Sequence, residues 1–195
     1  MKFLDISTDK KSVYTLSENE KVVFFLHNRP GDIEFRLAGS GAEAHVFAIF
    51  SLSEKMNVES KITQIHLVHD TVSSFRGRSI LSDQSSFHWQ GLINIRKDAA
   101  HSDGHQEMRN LLLSEDASAL AIPSLEIENN AVRCGHATAT SAPNKESLFF
   151  LRSRGFSETA AERMIIEGFA NDILERLPLP SEEQKQLLQS ILKTL

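Results

Sequence analysis

Residues able to act as nucleophile, base or metal ligand meet in one short segment, AVRCGHATAT at 131–140. It holds the only cysteine of the chain, Cys134, two residues before His136. On an extended strand alternate side chains share a face, so Val132, Cys134, His136 and Thr138 would project together. A thiol beside an imidazole is a nucleophile with its base, part of a ligand set, or a packed pair. A closed zinc site needs about four ligands, and the neighbouring sequence supplies no others. Cysteine catalysis needs a third, orienting group that the segment does not identify. A lone cysteine is most often a small buried hydrophobe. The pair by itself leaves all three readings open.

The other histidines add less. His66-x-x-His69-Asp70 has the spacing of a ligand set, but residues three apart on a strand face opposite ways. His101 and His105, in AAHSDGHQE, lie in an expected loop where they could converge. His27, His45, His66 and His88 recur after 18, 21 and 22 residues. A solenoid could stack them, but the preferred reading puts each on a solvated outer face. No phosphate-binding glycine loop and no serine nucleophile elbow occur. The enzyme reading, a metal-dependent catalyst on a β-helix or cupin-like barrel using His66, His101 and His105, therefore stands as the alternative.

The elements that must position these groups fall into two halves. Residues 1–142 read as short strands. VVFFLHN (22–28), AHVFAIF (44–50), TQIHLVH (63–69) and SFHWQGL (86–92) look like variants of one unit, with starts 22, 19 and 23 residues apart. Phe87, Trp89, Ile93 and Ile95 alternate with polar neighbours and are expected to face inward. A period near 20 residues without helices points to stacked coils, with an antiparallel sandwich as the rival. Residues 143–195 read as helices. Asn144 and Ser157 suit N-caps, Gly155 a helix end, and Ser181 with Gln184 a capping box. Their apolar stripes exceed what so small a bundle can bury, so some should cover the sheet or a partner.

Composition sets the outer bounds. The chain has 195 residues, 41% of them hydrophobic, and a net charge of −5, with no general nucleic-acid footprint. One cysteine excludes an internal disulfide framework and suits a reducing compartment. No signal-like N-terminus and no run of about 20 apolar residues occurs, so a soluble, cytoplasmic protein away from membranes is expected.

The run HQEMRNLLLSEDASALAIPSLEIENNAVRCGHATAT, continued by ESLFFLRSRGFSETAAERMIIEGFANDILERLPLP, resembles the SufB/SufD family of iron–sulfur cluster assembly proteins. The ordered motifs R-N-L-L-L-S, I-P-x-L-E-I, V-R-C-x-H-A-T, L-F-x-L-x-S-R-G and A-E-R-x-I-x-E-G-F carry it over residues 99–180, and more weakly over the strands before. The resemblance implies a mainly β protein, a right-handed parallel β-helix (solenoid) followed by a small C-terminal helical region. It also implies a non-enzymatic role in a cytoplasmic complex. A SufC-type ABC ATPase would dock on the helices, and a SufB-type scaffold would pair along the β-helix, as a second copy of this chain also could. Scaffold-type members carry cysteine where this chain has Ser114 and glutamate where it has Ala137, so the resemblance is to the SufD type. It places Cys134 and His136 near the partner interface, as a cluster or metal half-site. Two ligands hold iron loosely, so no metal is expected in the isolated chain and an iron–sulfur cluster only transiently in the complex. The SufC-binding region would comprise Phe149, Phe150, Arg152, Arg154, Gly155 and Phe169. Family members are about twice as long. A naturally short form or an excised domain would both expose a coil end, for which residues 1–20 are the expected cap.

Overall fold

Eleven strands and three helices make up the computed structural model, which describes residues 1–195. The strands are β1 (Lys2–Asp5), β2 (Val13–Leu16), β3 (Lys21–His27), β4 (Gly31–Leu37), β5 (Glu43–Leu52), β6 (Asn57–His66), β7 (Val72–Leu81), β8 (Ser86–Ile95), β9 (Asp103–Leu112), β10 (Ser118–Ile127) and β11 (Arg133–Ser141). They alternate between two sheets, one ordered β1-β3-β5-β7-β9-β11 and the other β10-β8-β6-β4-β2. Every pairing is parallel, so the chain winds as a β-helix with two strands per coil, and the antiparallel sandwich is excluded. Residues 1–16 are not a separate cap. β1 and β2 pair with β3 and β4 as one more short coil.

The repeat matches the sequence period in the first coils, where Lys2 pairs with Val22 and Lys21 with Glu43, steps of 20 and 22 residues, and lengthens after them. Glu43 pairs with Val72, Val72 with Asp103 and Asp103 with Arg133, steps of 29, 31 and 30 residues. The four similar segments belong to different sheets: 22–28 and 44–50 to the first, 63–69 and 86–92 to the second.

Apolar alternation fills the interior of the coils. Phe24, Phe35, Phe50, Phe75, Phe87 and Trp89 are buried in one cluster, with Phe75 and Trp89 stacked at 5.2 Å between ring centres. Phe87, Trp89, Ile93 and Ile95 all face inward, as their alternation predicts. β3 departs from alternation: Val22 to Leu26 are all buried, because its sheet is covered on its outer side too. There Val23, Phe25, Phe47, Ile49 and Ile80 meet Ala170, Ile173, Leu174, Leu177 and Ile191 of the helical region.

Those helices are α1 (Lys145–Ser153), α2 (Glu158–Leu174) and α3 (Ser181–Leu192). Asn144 caps α1 by accepting from the backbone N–H groups of Glu146 and Ser147, and Ser157 caps α2 by accepting from that of Ala160. Gly155, at φ +92°, turns the chain between them. The expected capping box at Ser181 does not form. Pro180 holds the cap position, and the Gln184 side chain donates to the carbonyls of Leu177 and Leu179 instead. No helix of the structure is long and apolar enough to cross a membrane.

Candidate functional site in the last coil

β9 and β11 pair Gly104 with Cys134, Gln106 with His136, Met108 with Thr138 and Asn110 with Thr140. Gly104, Gln106, Met108 and Asn110 are buried, so Cys134, His136, Thr138 and Thr140 continue an inward-facing column into the last coil. The side chain of Asn110 confirms the direction by donating to the Thr140 hydroxyl, 2.9 Å away. Beyond β11 there is no further strand, and the same holds for β10 in the opposite sheet. The column that is interior elsewhere therefore surfaces here. His136, Thr138 and Thr140 are exposed, while Cys134 is half-buried.

Cys134 packs with Val132 against Ile93, Ile95 and Ala99. Burial pushes its thiol pKa up; the Gly135 N–H works against this and the nearby Asp103 charge adds to it. Deeper in the same lane lies His66. A Cβ on Gly104 would stand 3.3 Å from His66 Nε2 and 3.7 Å from Cys134 Sγ, so the glycine keeps the lane open between them. His66 is fully buried, with Nδ1 at 2.7 Å from the Thr71 hydroxyl and Nε2 at 2.8 Å from that of Ser73. Burial lowers its pKa to about 4, and the ring is neutral near neutrality.

The structure corrects the histidine expectations. His66 is in the core rather than on a solvated face. His27, His45, His66 and His88 do not stack, since their register partners are Ile49, Ser74, Ile95 and Leu120 respectively. His101 occupies a left-handed corner at φ +60°, and His105 points outward to Asp103. The three histidines of the enzyme alternative are thus held apart, and no group of three or more His, Cys, Asp or Glu side chains is arranged to hold a metal.

The residues assigned to a SufC-binding region separate into two environments. Phe149 and Phe150 on α1 are 74% and 55% exposed, and α1 has no buried residue. The Arg154 guanidinium lies 4.9 Å from the centre of the Phe150 ring, and Arg152 is 3.8 Å from Glu158. Phe156 and Met164 are exposed as well. Phe169 differs: it packs into the helix–sheet core under Arg78.

Arg78 was not singled out by sequence. It is fully buried and pairs with Glu107 of β9 at 2.8 Å and with Asp172 of α2, tying the helical region to the sheet. Burial raises the pKa of Asp172, but the Arg176 and Arg78 partners outweigh it and hold the carboxyl below its usual range. The signal was in F-R-G-R-S at 75–79, where two arginines alternate within a strand.

Comparison with known proteins agrees with this architecture. The SufBD core domain of the SUF system for FeS cluster assembly matches residues 19–169. A SufBD family iron–sulfur cluster assembly protein of Mycobacterium tuberculosis (strain H37Rv) is 32% identical over 159 residues, 77% of this chain and 40% of its own. One from Mycobacterium leprae is 30% identical over 158 residues, with the same coverage. The iron–sulfur cluster assembly protein SufD of Escherichia coli is 34% identical over 110 residues, 56% of this chain and 24% of its own. The chain spans about two fifths of the length of the mycobacterial relatives. A stacked parallel coil, a helical region packed on its flank and a domain match over most of the length lead to one family: this chain belongs to the SufBD proteins of SUF-system iron–sulfur cluster assembly.

Proposed function

We propose that the chain acts as a SufD-like, non-enzymatic member of a SUF assembly complex in the cytoplasm. In this reading its last coil offers Cys134 and His136 as half of a ligand set for an iron–sulfur species in transit. A SufB-type partner, pairing along the β10 and β11 end, completes the set, and a SufC-type ATPase docks on α1. The carrying observation is the surfacing of the inner column at an unpaired coil end, with a thiol and an imidazole two residues apart on it. Thiolate and imidazole suit iron, and two ligands leave the remaining coordination positions for a partner to fill. A thiol whose pKa is raised is quiet until a metal cation displaces its proton, which suits a transient ligand.

The test compares folding with cluster chemistry in the same variants. Cys134→Ser and His136→Ala should leave the melting temperature of the isolated chain within about 3 °C, since neither group is fully buried. In a complex reconstituted with SufB-type and SufC-type partners, both should cut cluster yield severalfold. Lower melting temperatures with normal cluster yield per folded complex would return the pair to a packing role.

A further inference from the structure

The outer face of the first sheet carries a second feature, which adjoins the proposed half-site at His136. Between β5, β7, β9 and β11 on one side and the end of α2 on the other lies a cleft of about 560 Å³. A volume in that range suits a small molecule. His45, Ser74 and His105 form one row of its lining and Arg76 stands in the next, with Arg176 above them. Gly135 continues the first row without a side chain and keeps the β11 side shallow.

The ionic pairing around this cleft is uneven. Glu43 at its edge is held by Lys21 at 2.6 Å, and Asp103 by Arg133 at 3.0 Å. Glu107 is shared by Arg78 and Arg109, at 2.8 and 3.2 Å. Asp172 is taken by Arg78 and by Arg176 at 3.1 Å. Each carboxylate around the cleft therefore has its cation. Arg76 has no such partner. It stands directly across from Glu107 in the register, yet that carboxylate turns to Arg78 and Arg109, and the half-buried Arg76 guanidinium makes no ion pair or hydrogen bond. The imidazoles beside it are oriented. His45 Nδ1 lies 2.8 Å from the Ser74 hydroxyl and its Nε2 3.6 Å from Glu43, while His105 Nε2 is 2.9 Å from Asp103.

We propose that this cleft binds a small molecule through an oxyanion group, a phosphate or a carboxylate, with Arg76 as its principal ligand. A guanidinium grips either oxyanion with two parallel hydrogen bonds. Ser74 can donate a further one when His45 donates to it, and Arg176 closes the helical side. The surplus positive charge is local, in a chain whose net charge is −5, so it marks a place rather than a general affinity for anions.

The experiment is calorimetric titration of the full chain with inorganic pyrophosphate and, separately, with citrate at physiological ionic strength. Saturable one-to-one binding of pyrophosphate assigns the site to phosphate ligands, and of citrate to carboxylates. Arg76→Gln touches no partner, so its melting temperature should match that of the parent. Loss of a charge-assisted bidentate contact should weaken binding roughly 10- to 100-fold. Arg36→Gln removes the same charge from the other sheet, where Arg36 pairs with Glu34, and should leave binding within about twofold. Three results would overturn the assignment: no saturable binding of either probe, equal weakening by Arg36→Gln, or unchanged affinity in Arg76→Gln.

Discussion

His66 shows how much one buried side chain can govern. Its ring sits among the Thr71 and Ser73 hydroxyls, a further hydroxyl from Ser102 bonds to Thr71, and no carboxylate touches it. Burial penalises the charged form and brings the pKa to about 4, against the weaker pull of Asp103. The unfolded chain protonates this ring near pH 6.5, whereas the folded one resists until about pH 4. The unfolded state therefore takes up the proton first as pH falls. Stability that is fully present above about pH 6.5 is lost progressively down to about pH 4. At about 1.4 kcal/mol per unit, this amounts to about 3 kcal/mol. His27 is depressed by burial as well and acts in the same sense. The lowered carboxyls of Glu43 and Asp172 add their own losses as pH falls below their ordinary values of 4.5 and 3.8, at and beneath the lower end of this window. Urea unfolding between pH 4 and 7 should show the slope, and His66→Gln should flatten it whatever that variant does to absolute stability. An unchanged slope would mean that another group titrates there. None of this was legible in the sequence, where His66 looked like a ligand or a surface residue. The hydroxyls that satisfy it come from the turn and strand after it, and only the winding of the coil brings them inside.

At the scale of elements, α2 and α3 are part of the core, and α1 stands apart from it. α2 is clamped by Arg78 and by apolar contacts with β5 and β7. The chain end after α3 is pinned by Ser53, whose hydroxyl donates to the Thr194 carbonyl at 2.7 Å. α1 buries nothing of its own, and Phe149 and Phe150 are left in water. Large exposed aromatics are uncommon on a surface without a partner, and Phe156 and Met164 are exposed too. The family resemblance grouped Phe149, Phe150 and Phe169 as one platform, and the helical periodicity of all three did nothing to separate them. Periodicity cannot say which helix the sheet will cover. Aspartate at 149 or 150 should leave the melting temperature of the chain within about 2 °C, because neither ring packs into the core. The same variants should abolish co-purification with a SufC-type ATPase if α1 is the docking arm. Phe169→Asp should instead lower the melting temperature, since it breaks the helix–sheet core and places a carboxylate in it. Equal destabilisation by all three substitutions would remove the distinction between arm and core.

For the whole molecule, strands with an inward face were readable from alternation in residues 86–95 and stacked coils from the recurring segments, but the length of the later coils was not. The early corners carry glycine and proline, at Pro30, Gly31 and Gly41, whereas the later ones are turned by Glu54, Asp70, Asp83 and His101 in the left-handed region. Glu54 and His101 are weak turn signals, so the longer later coils do not show their length in the sequence. The ends of the stack carry the consequence for assembly. A parallel β-helix satisfies each coil's backbone groups from the coils on either side, and the last coil has a neighbour on one side only. Arg133 N–H bonds inward to the Ser102 carbonyl of the preceding coil. Residues alternate in the side to which their backbone groups point, so those of Cys134, His136, Thr138 and Thr140 point away from β9. The edge that frees these groups is thus the one that bears the thiol and imidazole. On β10, Leu120 and Ile122 are exposed beside it and add apolar area to the same end. A partner strand laid along β11 would satisfy the free groups and bring its own side chains next to Cys134 and His136. Thr138→Pro removes one outward N–H and none of those that bond to β9. The isolated chain should therefore keep its fold, with a melting temperature lowered by only a few degrees. Association with a SufB-type partner, or with a second copy, should weaken at least tenfold in sedimentation or light scattering. Thr138→Val keeps the N–H and the β-branched shape, and should associate normally. If proline and valine variants associate alike, the partner does not add a strand here, and the coil end is covered by side-chain packing alone.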